Sequence, residues 1–250
     1  MKVGDLKKPE YFSKVIGSAF IIMSVYLFIS TEFMNIAFGA LFIGVMTIAI
    51  MHFRTVEKPI AERMLESSVL PLNDLLEDLD LNGDGVYVPP GQNLSSSRTY
   101  VPAGEFRGVP NIYDEMTIIT GGGGRTGISL IPLGKPILHQ AKERMESDLD
   151  GVGIEGAREG MGILTHGLSL AKSFSLRRED GSIKLRITHN GYNKYCEKLR
   201  GRSTKLCTRT GCPICSAYIT CASEGLDASL RVVSFEKEDK HVKFTLEEVE

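Results

Sequence analysis

The fold is decided by residues 213–246, which read PICSAYITCASEGLDASLRVVSFEKEDKHVKFTL. The first part, from about Pro213 to Leu226, is typical of an amphipathic helix. The extended segments Ser229–Glu236 and His241–Leu246 follow it, separated by a charged turn. Residues of the second segment alternate between apolar and polar, which is typical of a strand with one face in water. The stretch therefore predicts a helix followed by two antiparallel strands.

The same order of elements occurs earlier, so that residues 152–250 form a coarse helix-strand-strand repeat. A helix from about Ile154 to Lys172 leads to the strands Ser173–Arg178 and Ser182–Thr188, with a turn between them. Amphipathic helices need a sheet face to cover. We therefore expect a two-layer α+β domain with an antiparallel sheet over residues 81–250.

Composition and charge exclude several classes of protein. The chain has 250 residues, of which 42% are hydrophobic and 24% are charged, so wholesale disorder is excluded. Lys and Arg number 29 against 31 Asp and Glu, which gives a formal net charge of −2. Because contacts to phosphate backbones need clustered positive charge, this balance predicts no nucleic-acid partner.

Apolar residues are concentrated between Val15 and Met51, where Glu32 is the only ionised side chain. One straight helix over this stretch would far exceed the ~30 Å hydrocarbon core of a bilayer and would bring Glu32 near its centre. A break at Glu32 instead predicts two transmembrane helices, about Val15–Ser30 and Phe33–Met51. Lysines precede the first and basic residues follow the second, which predicts that both termini are cytoplasmic. A signal peptide cleaved near Ser30 is the alternative.

This division gives four predicted segments. Residues 1–14 form a cytoplasmic N-terminal segment, residues 15–53 a transmembrane hairpin, residues 54–80 a juxtamembrane helix and residues 81–250 the cytoplasmic α+β domain. The expected protein is a multi-pass protein of the cell membrane, with the lipid bilayer as a partner.

Four cysteines are the strongest local signal. Cys196, Cys207, Cys212 and Cys215 are separated by ten, four and two residues, and the last two belong to the sequence Cys-Pro-Ile-Cys. Two thiolates at this spacing can reach one tetrahedral ion, so the pattern predicts a structural Zn²⁺ site, with an iron–sulfur cluster as the alternative. A cytoplasmic location would keep these thiols reduced. The competing interpretation is that some, such as Cys215 and Cys221, are small buried residues on a helix face.

Other patterns have simpler explanations. Residues 80–85 open like a calcium loop, but Gly91 stands where the loop needs Glu, so they predict a turn before a strand. Gly122–Gly127 has phosphate-loop spacing without the required lysine, which favours a hairpin turn. The glycine-rich helix after residue 153 predicts close packing on the sheet, or a ligand lying against it. Its glycines are Gly153, Gly156, Gly160, Gly162 and Gly167.

No catalytic set is visible in the sequence. The histidines fall in different predicted elements, and no Ser/His/Asp arrangement can be assembled from them. His166 on the glycine-rich helix and His189 at a strand end are the two that could face a pocket. We therefore expect a protein without enzymatic activity.

Two parts of the sequence resemble known families. On the segments YVPP (87–90), ISLIPLGKPI (128–137) and GLDASLRVVS (225–234), the chain resembles an archaeal family of membrane-anchored proteins with two helices and a domain, which implies no known activity. Residues Ile154–Glu247 resemble the four-vinyl-reductase type of ligand-binding domain, which is similar to subunits of the vesicle-tethering complex. That likeness lies in the element order, the glycine-rich helix and Cys212-Pro213-Ile214-Cys215, and it implies binding of small hydrophobic molecules.

The first hypothesis for function is therefore a membrane-anchored protein whose domain binds a protein partner or a small apolar ligand. The second is a metal- or redox-responsive regulator that uses Cys196, Cys207, Cys212 and Cys215, with zinc as the expected cofactor. A membrane-tethered enzyme is the third.

Overall fold

The computed structural model describes residues 8–30, 34–52, 58–91, 93–120, 125–145, 149, 151–239 and 241–250. The chain divides into two compact units, Met1–Ala61 and Glu62–Glu250. In chain order the helices are α1 (Lys8–Ser30), α2 (Met34–His52), α3 (Lys58–Asp78), α4 (Lys135–Lys142), α5 (Ile154–Gly162), α6 (Asn193–Arg202), α7 (Leu206–Arg209) and α8 (Pro213–Leu226).

In the first unit, α1 and α2 lie against each other as a hairpin. Glycines permit a close approach, because a Cβ at Gly44 would lie 2.9 Å from the carbonyl oxygen of Gly17. Closer to the C-terminal end of α1, the Ser24 hydroxyl donates to the carbonyl of Ala37 at 2.8 Å. Large apolar side chains such as Tyr26 and Ile29 are exposed.

The prediction of a transmembrane hairpin is wrong. In the part of the chain that the structure describes, no helix has both the length and the apolarity needed to cross a bilayer. The predictions that rested on the hairpin, a multi-pass cell-membrane protein with two cytoplasmic termini, are wrong with it.

The second unit is built on an eight-stranded sheet. The order across it is β3-β4-β2-β1-β7-β8-β6-β5, and every neighbouring pair is antiparallel. Pairing of β1 with β7 joins the strands before residue 131 to those of the C-terminal repeat. In chain order the strands are β1 (Val86–Val88), β2 (Arg98–Pro102), β3 (Ile118–Thr120), β4 (Thr126–Leu130), β5 (Ala171–Glu179), β6 (Ser182–His189), β7 (Ser229–Glu238) and β8 (His241–Val249).

Helices cover one face of the C-terminal strands. Ile183, Leu185 and Ile187 of β6 lie opposite Leu246, Phe244 and Val242 of β8, and all six are buried in one core with residues of α4, α5 and α8. Helix α8 is central in that core, since every residue from Pro213 to Gly225 is buried. The antiparallel sheet and its helical layer thus have the arrangement that the repeat predicts.

Three local predictions need correction. The helix expected over 154–172 is shorter, because α5 gives way to a π-helical turn at Ile163–Gly167 and Ser169 has a φ of 54°. The stretch between β6 and α8 contains the helices α6 and α7 instead of a simple link. Helix α4 covers only part of the stretch predicted to be helical from Pro136 to about Leu149.

The Gly122–Gly127 turn lies partly outside the described residues, which omit 121–124.

Candidate functional site

The structure brings the four predicted ligand cysteines into one buried region. Cys196 lies on α6, Cys207 on α7, Cys212 at the N-cap of α8 and Cys215 in its first turn. All are free thiols, and none is more than 6% exposed. They lie close enough that the charge of one raises the pKa of another, as Cys212 does for Cys196 and Cys207.

A tight turn positions Cys212 in front of the helix. Gly211 has a φ of 65°, a left-handed conformation that glycine adopts without strain. The Tyr87 hydroxyl donates to the carbonyl of Thr210 at 2.6 Å, so that strand β1 holds the chain just before the turn. The backbone of Gly85 donates to the carbonyl of Thr208 at 2.8 Å and anchors the end of α7 in the same way.

Cys212 and Cys215 form a polarised thiol pair. The pKa of Cys212 is held below its usual range, first by the neighbouring Cys215 thiol and then by the nearby backbone N–H groups of Cys215 and Ile214, although the Cys212 side chain makes no capping hydrogen bond. These are the free N–H groups of a helix N-terminus, where a negative charge is stabilised. The pKa of Cys215 is raised well above its usual range, first by the neighbouring Cys212 sulfur and then by burial.

The two other thiols of the cluster are protonated. Burial raises the pKa of Cys196 to about 11, and burial also raises the pKa of Cys207. The cluster therefore holds one thiolate-prone sulfur and three thiols.

Two buried tyrosines lie near the thiols, and neither was predicted from the sequence to belong to the site. Tyr87 and Tyr195 are each 1% exposed, and burial raises the pKa of both. The Tyr195 hydroxyl has no hydrogen-bond partner among the described residues. The residue directly precedes Cys196, which is the one signal in the sequence that could have placed it at the site.

The geometry is not that of a preformed metal site. Within the described residues, no group of three or more Cys, His, Asp or Glu side chains is arranged to hold a metal ion. The direct partner of Cys212 is Cys215, and Cys196 and Cys207 lie farther out. The four-cysteine zinc site stays a prediction, and it requires Cys196 and Cys207 to move.

The fifth cysteine belongs to the interface between α5 and α8. The Cys221 thiol donates to the carbonyl of Ala157 at 3.5 Å. A Cβ at Gly160 would lie 2.8 Å from the Cys221 sulfur, and one at Gly225 would lie 2.7 Å from the Cβ of Ala157. Glycines therefore allow the two helices to touch, which supports the close-packing interpretation of the glycine-rich helix.

The remaining candidates do not converge on a site. His166 is exposed, whereas His189 is 2% exposed at the end of β6. Burial and then the charge of Lys237 lower the pKa of His189 to about 4. In the turn at residues 80–85, the side-chain oxygen of Asn82 accepts from the cations Lys205 and Arg209, which opposes calcium binding there.

The fold and the site define a mixed α/β domain in which helices cover an antiparallel sheet and the central helix begins at a buried pair of thiols. The chain belongs to the family described as a domain of unknown function (DUF7982), which matches residues 15–246. No curated protein and no solved structure matches the chain.

Proposed function

We propose that Cys212 and Cys215 form a reversible dithiol–disulfide pair, through which the domain responds to small oxidants. The observation that carries this proposal is the placement of two buried thiols at the start of α8, Cys212 at the N-cap and Cys215 in the first turn, where the pKa of Cys212 is lowered. Thiolates react with oxidants and thiols do not, so its lowered pKa singles out Cys212 among the five cysteines, whose other four members have raised pKa values.

The pair can close to the spacing that a disulfide needs. Residues three apart on a helix have Cβ atoms about 5–6 Å apart, and those of a disulfide are about 3.5–4.5 Å apart, so the two residues must approach by roughly 1–2 Å. Cys215 lies three residues after Cys212, and the two sulfurs are close enough that each shifts the pKa of the other. A disulfide would therefore form with a small displacement of the first turn of α8.

The reaction balances with a hydroperoxide, ROOH, as the oxidant. The Cys212 thiolate attacks one peroxide oxygen, the O–O bond breaks, ROH leaves after taking up a proton, and Cys212 becomes a sulfenic acid. The Cys215 sulfur then attacks the Cys212 sulfur, and the S–O bond breaks. The hydroxyl group leaves as water with the proton of Cys215. Two thiols are oxidised to one disulfide while the hydroperoxide is reduced. A small dithiol reverses the change by thiol–disulfide exchange.

Burial restricts the oxidants that can reach the pair. Cys212 is 5% exposed and Cys215 is 2% exposed, so a protein disulfide cannot approach them in this conformation, whereas a hydroperoxide is small enough. Formation of the disulfide would also affect the core. Helix α8 is central in the core and its first turn packs against the start of α4, so a displacement of that turn would shift the neighbouring helix. At that contact, a Cβ at Gly134 would lie 2.0 Å from the backbone nitrogen of Ala217.

The test is treatment of the full chain with hydrogen peroxide, followed by alkylation and mass spectrometry of peptides. We expect a Cys212–Cys215 disulfide, a loss of about 2 Da that dithiothreitol reverses. Cys212→Ser should abolish the reaction, and Cys215→Ser should leave a sulfenic acid at Cys212 that dimedone captures. Cys221→Ser is the matched control, since Cys221 is buried on the same helix but contacts Ala157, and it should react like the unmodified chain. Oxidation that spares Cys212, or that persists in folded Cys212→Ser, contradicts the proposal.

A second candidate, zinc binding, is favoured by the convergence of Cys196 and Cys207 on the pair. N–H donors at Cys212 lower the cost of its thiolate, which is the form that binds metal. Elemental analysis of chain purified without chelator tests this candidate. We expect about one zinc per chain if the four sulfurs close on an ion, and loss of that zinc in Cys196→Ser and Cys207→Ser. Folded chain without zinc excludes it.

A further inference from the structure

A basic cavity lies beside the thiol cluster and is independent of it. The cavity has a volume of about 410 Å³ and opens between the end of α6, the loop before α7, and the end of α3. This volume is within the range of sites for small molecules. Among the side chains that line it, those of Arg200, Arg202, Lys205 and Arg209 are cationic, and that of Glu77 is acidic.

The lining carries an excess of positive charge that its own acceptors do not neutralise. The single side-chain oxygen of Asn82 accepts from both the Lys205 ammonium at 3.2 Å and the Arg209 guanidinium at 3.0 Å. A neutral amide oxygen shared between two cations satisfies one hydrogen bond of each and compensates neither charge.

The carboxylate in the cavity is already engaged by neutral groups. Glu77 accepts from the Asn73 amide at 3.0 Å and from the Ser203 hydroxyl at 3.1 Å. These two hydrogen bonds are the main reason that the pKa of Glu77 is lowered, and the charges of Arg209 and Lys205 add to them. The four cations are therefore in excess of the one anion that faces them.

Arg209 is the second, independent observation that points to a ligand. Arg209 lines the cavity, and yet it is only 3% exposed to solvent. Nη2 donates to Asn82, whereas Nε and Nη1 have no acceptor among the described residues. A buried guanidinium with unused donors is costly, and a phosphate that shifts the surrounding side chains enough to reach Nε and Nη1 would supply the oxygens that these donors lack.

We propose that this cavity binds the phosphate group of a small organic phosphate. Arg209 and Lys205 hold the phosphate oxygens, and Arg202 and the Thr204 hydroxyl, both exposed at the mouth, complete the site. A phosphate group fills only part of about 410 Å³, so the remaining volume accommodates the organic portion of the ligand.

The test is calorimetric titration of the full chain with inorganic phosphate, adenosine monophosphate and adenosine, at about 0.15 M salt to screen distant charges. We expect saturable binding of adenosine monophosphate with a dissociation constant of about 1 mM or tighter, and no binding of adenosine. Binding of inorganic phosphate alone also supports the site and identifies free phosphate as the source.

The variants avoid buried Arg209, whose replacement endangers folding. The double variant Arg202→Gln with Lys205→Gln removes two exposed cations and should weaken phosphate binding about tenfold or more. Arg177→Gln, on the exposed side of edge strand β5, is the matched control and should bind like the unmodified chain. Absence of saturable phosphate binding, binding of adenosine as tight as that of its phosphate, or equal weakening by Arg177→Gln overturns the proposal.

Discussion

At the scale of single residues, two glycines determine where the thiol pair lies. Gly211 provides the left-handed turn in front of Cys212, and Gly85 allows β1 to touch the end of α7. The contact at Gly85 is the closer of the two, because a Cβ there would lie 1.6 Å from the carbonyl oxygen of Arg209. Both positions require glycine. A Cβ would strain the left-handed backbone at Gly211 and would collide with the backbone of α7 at Gly85.

We predict that Gly85→Ala lowers the free energy of unfolding by about 2 kcal/mol or more, because a backbone must move to make room for the methyl group. Urea denaturation measures the change. Gly104→Ala is the control, since nothing lies within 4 Å of a Cβ at that position, and it should be neutral within about 0.5 kcal/mol. A Gly85→Ala chain as stable as the control variant would show that α7 is not held in this way.

Residue-level patterns predicted part of the site. The Cys-Pro-Ile-Cys spacing identified the pair that the structure brings into contact, because that spacing acts within one helical turn. Tyr87 and Gly85 were not predictable in the same way. They are more than 120 residues away in the chain and reach the site through the pairing of β1 with β7, which no local pattern encodes.

At the scale of elements, helix α8 owes its position to a buried charge as well as to its apolar residues. The Glu224 side chain is fully buried near the end of α8. Its oxygens lie 2.7 Å from the ammonium groups of both Lys135 and Lys142 of α4. The Ser97 hydroxyl also donates to it. These contacts tie the helix to α4 and to the segment before β2.

Removal of that carboxylate should be costly. We predict that Glu224→Ala lowers the free energy of unfolding by about 3–5 kcal/mol, because it leaves two partly buried lysines without their anion. Thermal and urea unfolding measure the loss. Glu143→Ala on α4 is the control, because the contact of Glu143 with His139 is exposed and should contribute less than about 1 kcal/mol. Similar losses in the two variants would contradict the structural role of Glu224.

Element prediction succeeded where a helix or strand is regular and failed where it is interrupted. Periodicity identified β6 and β8 because each buries one continuous face, whereas α8 was recognised as a helix although it is buried on all sides and not on one face only. Periodicity did not identify the π-helical turn after α5, which depends on backbone geometry that side-chain patterning does not carry. Helix α7, Leu206–Arg209, is too short to show a period.

At the scale of the whole molecule, one histidine links folding to pH. His189 has a folded-state pKa of about 4, lowered by burial and then by Lys237, against about 6.5 in an unfolded chain. The unfolded chain therefore takes up a proton first as the pH falls, and stability decreases between about pH 6.5 and pH 4.

We predict that this group accounts for about 2–3 kcal/mol of the stability lost between pH 7 and pH 4.5, and that His189→Gln removes that part of the pH dependence. Urea denaturation at several pH values gives the slope. His166→Gln, at an exposed histidine, should leave the slope unchanged. If His189→Gln retains the slope of the unmodified chain, other groups carry the effect.

Averages over the whole chain concealed its charged cavity. A net charge of −2 correctly describes the total, but Arg200, Arg202, Lys205 and Arg209 lie within ten residues and meet in space. The apolar N-terminal stretch misled in the opposite way. Its composition predicted membrane spans, whereas no helix among the described residues combines the length and the apolarity that a span requires.

Strand β8 lies between β7 and β6, so the β5–β6 pair joins the rest of the sheet only through residues 241–249. During synthesis, the β6 edge of this pair stays unpaired until residues 241–249 have left the ribosome. A nonsense mutation shortly before codon 241 should therefore not yield a slightly smaller working protein. The truncated chain would expose the unpaired edges of β6 and β7. Such edges promote aggregation, and a chain that exposes them is degraded by quality-control proteases.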